Sequence, residues 1–153
     1  MTGPVEVLDF WFADTLDRLA DRRAIWFMGG PDIDQLITKK FGTLPDAALA
    51  GELQHWATDA RNTLALVLVL DQFPRNIYRN TAQAYHYASV SLDLAVKIID
   101  QGLNLDLHPI EQSFLFLPLE HSEAIDDQTR AVQLYETLTT QSSDAYLESA
   151  KNS

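Results

Sequence analysis

Two short polar segments carry the residue types that can do chemistry. The first, Asp71 to Arg79, places a carboxylate, two guanidinium groups and two amides around a proline. Arg75 and Arg79 suit a bound carboxylate or phosphate, because a guanidinium holds either group through two parallel hydrogen bonds. The interpretation that we favour from the sequence is structural, with these polar groups pairing the backbone groups left free where a helix ends and the ligand site as the alternative. The candidate ligand-binding residues here are Asp71, Gln72, Arg75, Asn76 and Arg79.

The second polar segment is Leu117 to Glu123, in which His121, Ser122 and Glu123 are the candidate ligand-binding residues. A histidine beside carboxylates suggests general acid–base chemistry, but neighbours in sequence point in different directions on a helix and form no relay by adjacency. No Gly-x-Ser-x-Gly motif surrounds Ser122, so the sequence does not indicate a serine hydrolase. The structural alternative is a buried His121 that bonds a backbone group at a helix junction.

Motifs for metals and cofactors are missing from the sequence. The chain has no Cys, which excludes thiolate metal sites, iron–sulfur clusters and cysteine nucleophiles. The other histidines, His55, His86 and His108, are isolated, without a His-x-x-x-His pair. A glycine-rich phosphate loop is also absent from the sequence. We therefore predict no metal and no cofactor, and we assign no catalytic residue.

The composition is that of a packed, acidic protein. Of the 153 residues, 46% are hydrophobic and 22% are charged, as in ordinary globular domains. The formal net charge of −11 repels phosphate backbones and anionic lipids, so we expect neither nucleic acid nor a membrane as partner. The longest apolar run, Leu64 to Leu70, is far shorter than the roughly 20 residues that span a bilayer. Residues 1–14 do not resemble a signal peptide, and we expect a cytoplasmic protein.

The run from Leu64 to Leu70 is the segment where periodicity leaves helix and strand open. Its four leucines, the capping pair Thr58-Asp59 upstream and the lack of a second strand-like run favour a buried helix. We expect Pro74 to end this helix near Gln72 or Phe73, because proline removes a backbone donor. Aromatic residues at helical spacing are expected in the core rather than around a cofactor: Phe10, Trp11, Phe12, Trp26, Phe27, Phe114 and Phe116.

Hydrophobic spacing predicts helices in most of the remaining chain. Glycines, prolines and capping residues indicate where they start and stop. The predicted helices are one around Val5–Phe12, one over 18–28, one capped by Asp32, a turn over 45–49, a long helix over 81–101 with Tyr85 in its core stripe, one starting at Asp106 or His108 and interrupted by Pro118, and one capped by Asp126 or Asp127.

These elements predict an all-α fold of stacked antiparallel helical hairpins. Residues 1–140 are expected to form a single domain, because this length supports one core. Residues 141–153 are rich in Ser, Thr, Gln and Asn, so they are expected to form a polar tail or a frayed helix.

The order of several motifs resembles one family, the bacterial domain of unknown function 924, which belongs to the tetratricopeptide-like helical superfamily. The resemblance covers nearly the whole chain and centres on six consecutive residues, 71–76, which read Asp-Gln-Phe-Pro-Arg-Asn. The other motifs that carry it are Phe10-Trp11-Phe12, Trp26-Phe27, Leu64 to Leu70, Leu117-Pro118, His121-Ser122-Glu123 and Asp127-Gln128. The resemblance implies an α-α superhelix and no established activity, substrate or cofactor.

One departure from the family pattern lies at the carboxyl end. Members of the family continue into a segment similar to Phe-Gly-Arg-Phe-Pro-His-Arg-Asn, whereas the sequence here stops at Lys151-Asn152-Ser153. A naturally short protein and an abbreviated C-terminus both remain open. If that segment packs beside Arg75 and Arg79 in other members, a shared site is incomplete in this chain.

Two hypotheses of function follow, from different classes. The first is a non-enzymatic helical scaffold that binds a peptide or protein in a groove between helices, by analogy with the superfamily, although a fold does not determine a function. The second is a protein or enzyme that binds a small anionic ligand through Arg75, Arg79 and His121. Convergence of the polar side chains on one open pocket would favour the second. The sequence does not establish an enzyme, a substrate or an oligomeric state.

Overall fold

The fold is all-α, as predicted. The computed structural model describes residues 2–13, 22, 25, 26 and 29–151, with the backbone alone described from residue 141 onward. Within these residues there is no β-strand, and α-helices cover more than half of the chain. The prediction of a tetratricopeptide-like superhelix stays a prediction. The α-helices are α1 (Pro4–Phe12), α2 (Pro31–Phe41), α3 (Leu44–Leu49), α4 (Ala60–Val67), α5 (Phe73–Ile77), α6 (Ala88–Asp100), α7 (Pro109–Leu115), α8 (Leu117–His121) and α9 (Ile125–Lys151).

Helix α4 lies at the centre of the core. Asp59 caps its start, as expected, by accepting a 2.7 Å hydrogen bond from the backbone N–H of Asn62. Every residue from Leu64 to Leu70 is buried, which confirms the predicted buried helix. The helix contacts α1, α6 and α7, so it packs against elements far from it in sequence on both sides.

Pro74 does not end the helical path, and the prediction that it does is wrong. The chain widens after Val67 into a π-helical turn, Leu68–Gln72, in which the N–H of Phe73 bonds the carbonyl of Leu68. Helix α5 then follows directly, with Pro74 in its first turn, where a missing backbone donor costs little. Such π turns inside helices are rare and are frequent at functional sites. Asp71 belongs to this turn.

The aromatic residues form core, as predicted, wherever they are described. Trp11 is buried and meets Phe73 and Phe114 edge-on, with ring centroids 5.9 and 5.5 Å apart. Phe41 stacks on Phe73 at 5.1 Å. Edge-on contacts of this kind add to the stability gained from burial alone. Phe27 lies outside the described residues, as does most of the predicted helix over 18–28.

Three predicted helix starts need correction. Helix α2 is preceded by Gly30 rather than capped by Asp32, and the backbone of Gly30 has φ +103°, a conformation that only glycine adopts without strain. The long helix predicted over 81–101 is divided into a 3₁₀ helix, Ala82–Tyr85, and α6. As a result Tyr85 is exposed instead of buried in the core stripe. Helix α9 begins at Ile125, one residue before the expected cap.

The start of α7 and the end of α6 agree with prediction. Gly102 follows α6 with a left-handed backbone, φ +72°. His108 caps α7, with Nδ1 accepting a hydrogen bond from the N–H of Ile110 at 3.1 Å. Burial lowers the pKa of His108, against an opposing effect of Glu111, which suits an imidazole that must accept a hydrogen bond.

Helix α9 continues to Lys151, so the backbone of residues 141–151 is helical. Its core face contains Ala131 and Leu138, both buried, as predicted. The division into a domain of residues 1–140 and a tail of residues 141–153 stays a prediction. In the part of the chain that the structure describes, no helix has both the length and the apolar character needed to span a bilayer.

Candidate functional site

The two polar segments meet at one open cavity, which we call the site cavity. Its volume is about 580 Å³, within the range of roughly 300–1,000 Å³ that is usual for small-molecule sites. The segments come together through α6, which contacts both α8 and the π turn Leu68–Gln72 that leads into α5. The residues that line the site cavity are Arg75, Tyr85, Ala88, Ser89, Leu92, Pro118, His121, Ser122, Glu123 and Ala124.

Asp71 and His121 form a pair at the cavity wall. Nδ1 of His121 lies 3.1 Å from each carboxylate oxygen of Asp71. The Asp71 side chain is 3% exposed and the His121 side chain 25% exposed, so the carboxylate is buried behind an imidazole that reaches the cavity. Oδ2 of Asp71 has no hydrogen-bond donor among the described residues. A buried carboxylate with one histidine partner is an incompletely satisfied charge, which is costly in a structural role.

Arg75 lies near this pair, on the next turn of helix. Its guanidinium sits over the ring of Tyr85, 5.1 Å from the centroid, a cation–π distance. Its buried Nε has no hydrogen-bond acceptor within the described part of the chain. Arg75 lines the cavity. An aromatic ring thus holds the guanidinium of Arg75 in place, and no carboxylate of the described residues pairs with it.

Asn76 and Arg79 bond to Asp34 on α2, and Gln72 bonds to Asn76. Arg79 donates from Nε and Nη2 to the two oxygens of Asp34, at 2.6 and 2.9 Å. Nδ2 of Asn76 donates to Oδ1 of Asp34 at 3.0 Å, and Nε2 of Gln72 donates to Oδ1 of Asn76 at 2.9 Å. Hydrogen bonds from Arg79 lower the pKa of Asp34, and the same contact raises the pKa of Arg79. We call Gln72, Asn76, Arg79 and Asp34 the clasp.

Ser122 and Glu123 reach the cavity from the loop before α9. The hydroxyl of Ser122 donates to Oδ2 of Asp127 at 2.7 Å and accepts from the N–H of Ala124 at 3.1 Å. Both hydrogen bonds brace the loop, so the hydroxyl is engaged in structure. Glu123 is exposed at the cavity rim and supplies a negative group opposite in sign to Arg75.

Comparison with known proteins identifies the family of the chain. A family model described as "Bacterial protein of unknown function (DUF924)" matches residues 7–153. The chain belongs to this family. A solved structure, that of the protein of unknown function ATU0120 from Agrobacterium tumefaciens, is similar, with 31% identity and a TM-score of 0.79 over 88% of this chain and 73% of that chain. A search of the curated proteins finds no match.

In this DUF924 chain the structure divides the residues that the sequence singled out. Arg75, His121, Ser122 and Glu123 line the site cavity, and Asp71 touches it through His121. Gln72, Asn76 and Arg79 instead make the clasp, so Arg79 bonds Asp34 and does not line the site cavity with Arg75. The backbone partner expected for His121 is replaced by the carboxylate of Asp71.

Tyr85 is a site residue that sequence reasoning missed. It was expected on the core face of a long helix, and the break between the 3₁₀ helix and α6 turns it outward over Arg75. No local pattern marks this break. The apolar wall of Ala88, Leu92 and Pro118 was likewise expected only as helix core and helix break.

The site offers cation, imidazole and carboxylate groups but no evident metal ligand set. Among the residues that the structure describes, no group of three or more His, Asp and Glu side chains is placed to hold a metal ion. The chemistry available from these side chains is therefore anion binding by Arg75 and proton transfer by His121.

Proposed function

We propose that this DUF924 protein binds a small anionic ligand in the site cavity, with Arg75 as its main anchor. The observation that carries the proposal is that Arg75 lines the site cavity with its guanidinium over Tyr85, and that this guanidinium makes no hydrogen bond or ion pair with a described residue. A guanidinium that already lies in a cavity and has no anionic partner there is suited to hold a ligand. A carboxylate or phosphate group of a ligand pairs with the N–H groups that Arg75 presents to the cavity.

The net negative charge of the protein does not prevent an anion from binding to Arg75 at hydrogen-bond distance. The formal charge of −11 acts through solvent, where ionic screening limits it to about 8 Å at physiological salt. A guanidinium inside a cavity interacts with its ligand over hydrogen-bond distance and is screened much less. The local cation therefore decides which ligands bind, while the overall charge mainly slows their approach.

The other groups of the cavity narrow the ligand class. Leu92, Ala88 and Pro118 provide an apolar wall, which suits a ligand with a hydrocarbon body. Glu123 at the rim disfavours a second negative charge and accepts hydrogen bonds. The ligand that matches all three features carries one anionic group, a short apolar body and a hydroxyl or amino group at its far end.

The alternative of a scaffold for a peptide or protein has less support. Large exposed apolar side chains occur along the described chain on elements from α1 to α9 rather than on one helix: Val5, Leu36, Leu49, Tyr85, Leu103, Leu105, Ile125 and Val132. Single exposed apolar residues are normal on a monomer surface. They do not favour a groove over the site cavity.

Thermal melting of matched arginine variants tests the proposal. Arg75→Met removes the proposed anchor, and Arg79→Met is its control, because Arg79 lies in the same segment but bonds Asp34. Wild type and both variants are melted with phosphate, with simple carboxylates and with hydroxy and amino carboxylates. A bound anion raises Tm by mass action, with about 2.7 kcal/mol of stabilisation when the ligand is at 100 times its Kd.

We expect anion-dependent rises in Tm for wild type and Arg79→Met, with no rise for Arg75→Met. The proposal fails if no anion in the panel raises the Tm of wild type. It also fails if Arg75→Met responds as strongly as wild type, because the anion then binds elsewhere.

A further inference from the structure

The geometry of the Asp71–His121 pair points to a general acid–base centre inside the site cavity. We propose that His121 is a catalytic residue that exchanges a proton with the bound anion or with a water beside it, and that Asp71 is its positioning residue. The inference rests on the proposed function for its substrate, a small anion held by Arg75. It concerns a different group, so the two are tested separately.

The first step is the orientation of the imidazole. Nδ1 of His121 is 3.1 Å from both oxygens of Asp71, and the carboxylate is nearly fully buried. A carboxylate only accepts hydrogen bonds, so it requires a proton on Nδ1. In a neutral imidazole this leaves Nε2 with a lone pair. The carboxylate therefore selects the tautomer that can accept a proton.

The second step is the location of the lone pair. His121 lines the site cavity with a partly exposed side chain, and its hydrogen bond to Asp71 uses Nδ1 and leaves Nε2. Arg75 lines the same cavity, so an anion on the guanidinium lies in the compartment that His121 also lines. A base next to a bound substrate is the arrangement that general base catalysis needs.

The third step is the π turn that holds Asp71. A regular α-helix from α4 into α5 has one residue fewer in this turn and rotates each following side chain by about 100°. The turn therefore sets Asp71 toward His121 while Asn76 faces Asp34. The π turn thus accounts for the orientation of Asp71, whose buried carboxylate has His121 as its only hydrogen-bond partner among the described residues.

The proton transfer itself is balanced within the site. The lone pair of Nε2 forms a bond to hydrogen taken from an O–H group of the ligand or of a water, and the electrons of that O–H bond stay on oxygen. The imidazolium formed is stabilised by the carboxylate of Asp71. Return of the proton from Nε2 to an oxygen lone pair restores neutral His121, so the exchange needs no oxidant or reductant.

The tautomer of His121 is the first measurement, because it needs no variant and no ligand. Long-range proton–nitrogen NMR spectra at neutral pH distinguish the two neutral tautomers from imidazolium. In spectra recorded where the ring is neutral, we expect the hydrogen of His121 on Nδ1. A neutral form with hydrogen on Nε2 would overturn the inference, because Nε2 then has no lone pair to accept a proton.

The second measurement is the reactivity of Nε2 toward diethyl pyrocarbonate, read at each histidine by peptide mass spectrometry. His55 is exposed and is the internal reference. A merely structural, mostly buried histidine reacts more slowly than this reference, whereas a free Nε2 activated by Asp71 reacts faster. We expect His121 to react faster than His55 in the wild type.

The positioning role is tested with Asp71→Asn, and Asp100→Asn is the control, since Asp100 pairs with Arg130 at the surface. Loss of a carboxylate that orients a histidine commonly costs about 10- to 100-fold in activity at metal sites, and we expect a drop of that size in the rate at His121. The inference is wrong if His121 is slower than His55 in the wild type. If Asp71→Asn does not fold, the wild-type tautomer and rate still decide the question.

These results separate the two proposals. If Arg75→Met still binds the anion, Arg75 is not the anchor, and the conclusions from the tautomer and reactivity of His121 still hold. A wrong tautomer leaves anion binding intact and reduces the site cavity to a binding site.

Discussion

The segment from residue 71 to 79 has two faces that differ in how well their polar groups are bonded. On one face, Gln72, Asn76 and Arg79 form a continuous set of hydrogen bonds to Asp34 on α2. On the other face, Asp71 and Arg75 each have one buried polar atom without a partner among the residues that the structure describes. Gln72 and Asn76 each follow one of these two residues by one position, and Arg79 lies beyond the end of α5 at Ile77.

The difference indicates that one short segment both stabilises the fold through the clasp and contributes side chains to the site cavity. The clasp satisfies its donors and acceptors, which is the usual state of buried polar groups. Asp71 and Arg75 form the cavity face, on which fewer hydrogen bonds are made. Tyr85 holds the guanidinium of Arg75 in place, and His121 bonds the carboxylate of Asp71. Strain or unmet bonding of this kind is common at functional sites. Mutations on the two faces should therefore behave differently.

The largest effect is expected from the core beneath both faces. Leu68 begins the π turn and is 1% exposed. Leu68→Ala leaves a cavity and should lower the free energy of unfolding by about 2–5 kcal/mol. Urea denaturation followed by circular dichroism measures this. Val132→Ala, at an exposed position of α9, is the control and should stay within about 0.5 kcal/mol.

The next largest effect is expected in the clasp. Asn76 is buried and bonds both Gln72 and Asp34. Asn76→Ala removes a partner from each, and we expect a loss of about 1–3 kcal/mol in the free energy of unfolding, measured by urea denaturation. Anion-dependent changes in Tm should persist in this variant. If Asn76→Ala abolishes them without unfolding the protein, the two faces are not independent.

Several helices of the fold could be predicted from the sequence, whereas the contrast between the two faces could not. Periodicity and capping predicted α1, α4 and the end of α6, since these depend on residues close in sequence. The contrast between the faces was not predictable, because it depends on partners far along the chain. Asp34 is 45 residues from Arg79, and His121 is 50 residues from Asp71. The π turn also escaped prediction, because Pro74 suggested a break where the chain only widens.

A smaller and pH-dependent effect is expected for the ion pair of the clasp. Hydrogen bonds from Arg79 lower the pKa of Asp34 in the folded protein. The stability from the pair is therefore fully present above the ordinary Asp pKa of about 3.9 and is lost as the pH falls through the lowered folded value. The Arg79 side chain is 52% exposed, so the contribution is about 0–1 kcal/mol.

The measurement compares urea midpoints of wild type and Arg79→Met at about pH 7 and at strongly acidic pH. We expect wild type to be more stable at neutral pH and the difference to shrink in acid, as Asp34 takes up a proton. Asp34→Asn combined with Arg79→Met controls for other acid effects and should show no pH-dependent gap from Asp34→Asn alone. A gap that grows in acid would show that the pair does not stabilise the ionised carboxylate.

The smallest stability effect is expected at Arg75, the residue that the cavity face depends on most for binding. Arg75→Met loses a cation–π contact worth about 0.5–1 kcal/mol at exposed sites. It also removes a buried Nε without an acceptor, a cost of about 1–3 kcal/mol in the wild type, while the methionine keeps apolar contact with Tyr85. The cost that is removed with the Nε is at least as large as the cation–π energy that is lost, so the free energy of unfolding should be unchanged or slightly higher.

Urea denaturation without added anion checks this, with Asn76→Ala as the contrasting variant. A loss of 1–3 kcal/mol at Arg75, equal to that expected at Asn76, would mean that both faces of the segment serve the fold and that the unpaired Nε does not mark a ligand site.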